Sequence, residues 1–184
     1  KNEIIDGPLI IIPQRFGDDR GFFMESWNKN NFNKILNKEI KFVQDNHSNS
    51  KKNVIRGLHY QLPPDDQGKL VRCISGKIFD VIVDLRNSSN TFLSWAGVFL
   101  DNQFHKQLWI PSGFAHGFIS LIDNSEIIYK TTSFWSKKNE RTIRWDDPTL
   151  KINWPIDNNN PPLLSDKDRT SSKIKNILKD ELFM

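Results

Sequence analysis

Cysteine is almost absent from this chain of 184 residues: Cys73 is the only one. An intrachain disulfide is excluded, as is any C-x-x-C redox or zinc motif, and such usage fits a reducing, cytoplasmic compartment. Cys73 stands in an apolar run, which suits a packed side chain better than a nucleophile. Long apolar runs are missing too. No window approaches the roughly 18 residues of a membrane span. The segment from Lys1 to Ile12 has no apolar run of signal-peptide length leading to a small-residue cleavage site. There is no Gly-rich phosphate loop and no G-x-S-x-G elbow. Charge of one sign is scarce: the formal net charge is +4 and the basic residues are scattered. That balance slightly favours an anionic small molecule and leaves no nucleic-acid footprint.

What remains is a succession of short strand-like runs punctuated by Gly and Pro. Strands are expected at Pro8–Ile12, Phe22–Trp27, Ile40–Asp45, Val54–Gln61, Lys69–Ile74, Lys77–Arg86, Thr91–Leu100, Gln107–Ile110, Ala115–Ile122 and Glu126–Phe134. Phe16 to Gly21 reads as a turn, and Pro63 to Gly68 as a loop. Ser75-Gly76 signals a tight hairpin between its flanking strands. Within Lys77–Arg86, period two puts Phe79, Val81, Val83 and Leu85 on one face and Ile78, Asp80, Ile82 and Asp84 on the other. Asn30 caps a short helix that buries Phe32, Ile35 and Leu36. Ile174, Ile177, Leu178 and Leu182 have helical spacing near the C-terminus. The pattern predicts an all-β sandwich or barrel in one domain, residues 1–184, with a core from about 4 to 168 and a helical tail from about 169 to 184.

The densest polar chemistry lies in Arg56-Gly57-Leu58-His59-Tyr60-Gln61, just after Gln44-Asp45-Asn46-His47-Ser48. His59 is the first candidate for a proton-moving group, because an imidazole titrates near neutrality. A two-motif metal site needs H-x-H with a later Glu, then P-x-G-x-x-H. The second pattern is present as Pro111, Gly113 and His116, but the first is not. His59 and His116 alone fall short of about three protein ligands, so no metal is expected. Metal-free proton transfer beside a sugar ketone needs a base on one face, a donor on the other and a cation at the carbonyl oxygen. His59, Tyr129 and Lys69 supply one of each. On a regular strand Arg56 and His59 have opposite parity; a bulge at Gly57 would restore a common face, and otherwise Arg56 reaches the ligand from a strand end or is structural.

Nine runs, in order, carry a resemblance. They are Asp19 to Glu25, Gln44 to Ser48, Val54 to Gln61, Gln67 to Arg72, Gly76 to Arg86, Trp109 to Phe118, Tyr129 to Thr132, Arg144 to Pro148 and Leu164 to Asp168. With them the sequence resembles the dTDP-4-dehydrorhamnose 3,5-epimerase family, from about Ile4 to Asp168. The resemblance implies a metal-free cupin jelly-roll barrel and a homodimer whose N-terminal strands complete the neighbour's sheet. It implies dTDP-4-dehydro-6-deoxy-D-glucose as the substrate, inverted at C3 and C5 without a cofactor. Carried over, His59 is the general base, Asp168 orients and charge-balances it, Lys69 stabilises the enolate oxygen and Tyr129 donates the proton. Arg20, Glu25, Gln44, Asn46, Arg56, His116, Glu140 and Lys167 match positions that hold the nucleotide-sugar.

After Tyr129-Lys130-Thr131-Thr132 the family often has tyrosines, whereas this chain has Ser133-Phe134-Trp135. Two rivals share much of the same chemistry: a single-centre epimerase or 3,4-ketoisomerase on a related dTDP-ketosugar, and a sugar-binding cupin without catalysis. The complete proton-transfer set of His59, Lys69, Tyr129 and Asp168 argues against mere binding.

Overall fold

The structure, a computed structural model, describes residues 5–156, 160–177 and 181–183. Twelve strands are named among these residues: β1 (Leu9–Ile11), β2 (Arg15–Asp18), β3 (Gly21–Met24), β4 (Gln44–Ser50), β5 (Ile55–Gln61), β6 (Lys69–Ser75), β7 (Lys77–Asp84), β8 (Trp95–Asp101), β9 (Gln107–Ile110), β10 (Phe114–Ser120), β11 (Ser125–Thr131) and β12 (Glu140–Thr142). Two antiparallel five-stranded sheets face each other, in the orders β1-β9-β6-β11-β4 and β12-β5-β10-β7-β8, and β2 and β3 form a separate hairpin. This is the expected all-β jelly roll.

Alternation along the strands builds three apolar layers. Val71, Cys73, Ile78, Ile82, Leu108, Ile110, Phe114, Phe118 and Ile127 meet between the sheets. Phe79, Val81, Val83, Leu85, Ile55, Leu58 and Tyr60 point out of the second sheet, where Ile143, Leu150, Trp154 and Ile174 cover them. The third layer is Leu70 and Trp109 of the first sheet under Phe32 and Ile40. Both faces of β7 are thus buried, and Asp80 and Asp84 are interior carboxylates rather than a solvated edge. Cys73 is buried and its thiol is pushed up to about 12 by burial, which makes it a packing residue at neutral pH.

Several local expectations change. Ser75-Gly76 does not close a hairpin: β6 pairs with β9 and β11, whereas β7 pairs with β8 and β10. The chain instead turns a corner from one sheet to the other at Gly76, which has φ +80° and no room for a Cβ beside Ser125. Two-residue spacing between apolar runs cannot distinguish a hairpin from a sheet-to-sheet corner. The Phe16–Gly21 turn narrows to Asp19-Arg20, with its flanks paired as β2 and β3. The strand expected at Ile40–Asp45 starts only at Gln44 and continues to Ser50, and Glu140–Thr142 forms a strand where none was expected.

Helix α1 (Lys29–Leu36) is capped by Asn28 rather than Asn30: the Asn28 side chain is placed on extended backbone and accepts from the N–H groups of Asn30 and Asn31. Phe32 is its buried anchor, while Ile35 stays exposed. The C-terminal region is less helical than its spacing predicts. It contains α2 (Asp166–Thr170), one 3-10 turn at Ile174–Asn176 and a bridge of Phe183 to Arg86; Leu178 lies outside the described residues. Ile174 and Ile177 still pack on the second sheet, so their apolar pattern reports burial rather than a continuous helix.

Candidate active site

Of the three ways to reconcile Arg56 with His59, the bulge in β5 is the one present. His59 pairs with His116 and Arg56 with Phe118, so three steps along β5 span two along β10. Gly57, at φ +129°, lies against Gly117, and a Cβ on Gly57 would stand 2.5 Å from the Gly117 Cα and 2.8 Å from the His116 carbonyl oxygen. Ile55, Leu58 and Tyr60 consequently belong to the outer layer, and Arg56 and His59 line one cavity together.

That cavity has a volume of about 530 Å³. Its walls include Arg56, His59, Lys69, His116, Tyr129, Glu140, Lys167 and Asp168, eight of the twelve residues singled out from the sequence. A smaller adjoining space adds Gln44 and Asn46, with Gln44 Nε2 donating to Asn46 Oδ1 at 2.8 Å. Two residues are not brought there by this chain. Arg20 sits at the tip of the β2–β3 hairpin, 89% exposed and paired with Asp18. Glu25 follows the same hairpin and accepts from the side chains of Asn28 and Asn31.

His59 Nε2 lies 2.5 Å from Asp168 Oδ1. Asp168 is 2% exposed, and its other oxygen accepts from the Ser165 hydroxyl at 2.9 Å. Ser165 also caps α2 by accepting from the Asp168 N–H, so one side chain starts the helix and fixes its carboxylate. With Nε2–H given to Asp168, a neutral His59 carries its lone pair on Nδ1. Burial lowers the His59 imidazole from its usual range, Asp168 opposes that shift, and Lys167 and Lys69 reinforce it. Burial raises the Asp168 carboxyl, but its bonds to His59 and Ser165 and the nearby charges outweigh this and leave it lowered.

Lys69 stands at the start of β6 in the opposite sheet, almost fully buried, with its ammonium directed at the His59 carbonyl oxygen at 3.4 Å. Burial lowers it to about 8 against the pull of Asp80 and Glu140. Tyr129, on β11 of that same sheet, has its hydroxyl pushed up by burial. Among the described residues that hydroxyl makes no hydrogen bond. Glu140 accepts from Lys167 Nζ at 2.8 Å. Arg56 is braced by the Ser50 hydroxyl and the Asn49 carbonyl. The cavity therefore offers a base from one sheet, and a cation and a phenol from the other. Its two histidines are both committed to carboxylates through Nε2, His116 to Asp80 at 2.9 Å.

Some wall residues escaped sequence reasoning. Ser48 lines the cavity with a buried hydroxyl that has no hydrogen-bond partner among the described residues. Its signal was available in the alternation of Gln44, Asn46, Ser48 and Ser50 on one face of β4. Trp135 borders both spaces, and its backbone N–H donates to Gln44 Oε1 at 3.0 Å, so the Phe134-Trp135 departure does reach the cavity. Leu163 and Leu164 arrive from a loop whose placement no periodicity encodes.

The sequence model of the dTDP-4-dehydrorhamnose 3,5-epimerase family matches residues 2–176. The dTDP-4-dehydrorhamnose 3,5-epimerase of Shigella flexneri is 56% identical over 173 residues, which cover 94% of this chain and 93% of the relative. That of Pseudomonas aeruginosa is 52% identical, covering 88% and 87%. Among solved structures, the dTDP-6-deoxy-D-glucose-3,5-epimerase of Legionella pneumophila, in complex with dTDP-4-keto-L-rhamnose, is similar with a TM-score of 0.94 and 42% identity, over 99% of this chain and 95% of that one. A jelly roll with its His–Asp pair, lysine and tyrosine around one cavity, matched at this identity over nearly the whole length, makes this chain a member of the dTDP-4-dehydrorhamnose 3,5-epimerase family.

Proposed function

We propose that this protein epimerises dTDP-4-dehydro-6-deoxy-D-glucose at C3 and C5, giving dTDP-4-dehydro-L-rhamnose. The observation that supports it most is the placement of His59 and Tyr129 on opposite sheets of one cavity, with buried Lys69 lining that cavity beside them. In this reading His59 takes the proton beside the C4 carbonyl, and the C–H electron pair moves into an enolate. Lys69 hydrogen-bonds the enolate oxygen. Tyr129 delivers its phenolic proton to the other face of the same carbon, which inverts it, and Asp168 stabilises the imidazolium that forms. Arg56 and Lys167 hold the diphosphate, whose oxygens suit a guanidinium fork. His116, Glu140, Gln44 and Asn46 hold the remainder of the ligand.

The working unit in this proposal is a homodimer. The edge strand β1, the turn after it and the β2–β3 hairpin carry exposed Ile10, Ile12, Phe16, Phe22 and Phe23, and the same hairpin holds Arg20 outside its own cavity. Pairing with a second copy would cover these side chains and bring Arg20 and Glu25 to the neighbour's ligand. A fully active monomer by light scattering at micromolar concentration refutes this part.

Incubation with the proposed substrate in D₂O, followed by NMR, tests the chemistry. Deuterium at both C3 and C5 in an L-configured product supports the proposal. Label at a single carbon indicates a single-centre epimerase, a carbonyl moved to C3 indicates a ketoisomerase, and no label indicates a binding protein. Activity is expected to survive chelation, since the proton-transfer set needs no Lewis acid.

A further inference from the structure

β12 carries Glu140 into the cavity, yet it is three residues long and lies at the sheet edge beside β5. Main-chain pairing alone holds so short an edge weakly. Period two puts Glu140 next to Gln61 on the cavity side and Arg141 next to Tyr60 on the outer side. Just before the strand, Ser136 and Asn139 are tied to Gln61 and Asp65. Arg141 grips the strand from behind. Its Nη1 donates to the carbonyls of Lys138 and Glu140 at 2.9 and 3.0 Å, and its Nε donates to the Glu181 carboxylate at 2.5 Å. The Glu181 carbonyl in turn accepts from the Tyr60 hydroxyl at 3.0 Å. Two residues on, Phe183 is fastened beyond the end of β7: its N–H donates to the Leu85 carbonyl, and its carbonyl accepts from the Asn87 N–H.

We propose that Arg141 and Glu181 are positioning residues for Glu140: the C-terminal tail, anchored beside β7, sets from behind the sheet how far the Glu140 carboxylate reaches into the cavity. This inference rests on the epimerase reading for its kinetic consequence but not for its physical content. A guanidinium bonded to two carbonyls and a carboxylate is a rigid fork, and it links β12 to a segment that is itself fixed. The ion pair is 32% and 27% exposed at its two ends, so it is screened by solvent and adds little to overall stability. Its effect is geometric. On the cavity side the Glu140 carboxylate accepts from Lys167 Nζ at 2.8 Å. A small swing of β12 opens that contact and withdraws the carboxylate from a ligand, and displacements of this size are costly in a site.

The test follows the Glu140 carboxyl by NMR titration in the substrate-free protein. Burial raises that carboxyl, but the Lys167 bond, the charges of Lys167 and His59 and a bond from Trp135 outweigh burial and leave it lowered. Glu181→Gln and Arg141→Lys each loosen the grip without unfolding the chain, since the pair is half-buried. Both should raise the Glu140 midpoint by about half a pH unit or more, part of what a neighbouring opposite charge commands. The sign is diagnostic. Removing the Glu181 charge acts directly on a carboxyl by lowering it, and Arg141→Lys keeps the charge, so only a displaced Glu140 gives a rise in both. An unchanged or lowered midpoint in either variant overturns the proposal; if one variant does not fold, the other decides. With the proposed substrate, Glu181→Gln should raise KM about 3-fold or more and change kcat less. In a Glu140→Gln background the same substitution should change KM by less than about 2-fold, because the group it positions is already altered. An equal factor in both backgrounds overturns the proposal. If wild type shows no turnover, the epimerase reading fails and the carboxyl titration alone decides the positioning.

Discussion

Replacing Lys69 with Met separates what the buried ammonium does for catalysis from what it does to stability. Lowering it from 10.5 to about 8, chiefly through burial, costs the folded state roughly 3 kcal/mol at pH 7, at ~1.4 kcal/mol per pH unit. Met has a similar length and no charge to desolvate, and the hydrogen bond it gives up is a long one of 3.4 Å. Lys69→Met should therefore abolish inversion and yet raise the melting temperature at pH 7 by about 6–12 °C, given ~2–4 °C per kcal/mol for a chain of this size. The sign can be checked with pH. The folded value lies below the unfolded one, so wild type gains stability as pH rises from about 8 toward 10.5. The variant has no such titration, and the gap between the two should close at high pH. Circular-dichroism melts at pH 7 and pH 10 measure both. A variant that melts at or below wild type at pH 7, or a gap independent of pH, refutes the argument.

Other outcomes follow from the same geometry. His59→Ala should stop both inversion and exchange of the sugar's hydrogens with D₂O, while Tyr129→Phe should keep exchange on the His59 face and lose inversion by ~10²–10⁴-fold, the usual worth of a positioned acid. Inversion at the wild-type rate in Tyr129→Phe would make that residue a wall of the cavity. The pH profile of kcat/KM should rise through a His59 limb below 6.5, since the imidazole must be neutral to act, and fall through a Lys69 limb near 8 as the cation is lost. Reversed limbs would mean that the roles are exchanged. Arg56→Ala should raise KM more than it lowers kcat, because a diphosphate contact persists from ground state to transition state; steady-state kinetics decide it. Gly57→Ala combines positive φ with backbone at 2.5 Å, and denaturant melts should show a loss of roughly 2–5 kcal/mol.

Much of this was legible because alternation is a local signal. The two faces of β7 followed from period two, and the parity conflict between Arg56 and His59 pointed to a bulge at Gly57 as one way to reconcile them. Ser165 and Asp168 could be placed by a motif, but their junction with His59 spans 109 positions and needs the fold to bring it about. Which strand pairs with which was not legible around Gly76, because sheet assignment is decided by long-range hydrogen bonds that leave no mark on spacing. The tail failed for a related reason: apolar residues at helical intervals serve equally well when a 3-10 turn and a bridge lay them on a sheet.

The extra residue in β5 acts as a phase shift. Upstream of Gly57 the side chain that looks into the barrel is Arg56, and downstream it is His59 and then Gln61. Straighten the strand without shortening it and the two halves fall back into step, so that a strand offering Arg56 to the ligand would turn the imidazole into the outer layer and bring its neighbour Tyr60 inward. In the proposed mechanism anion capture and proton abstraction are written in opposite reading phases of one short strand, and a single glycine pressed against Gly117 allows both to be read from the same side.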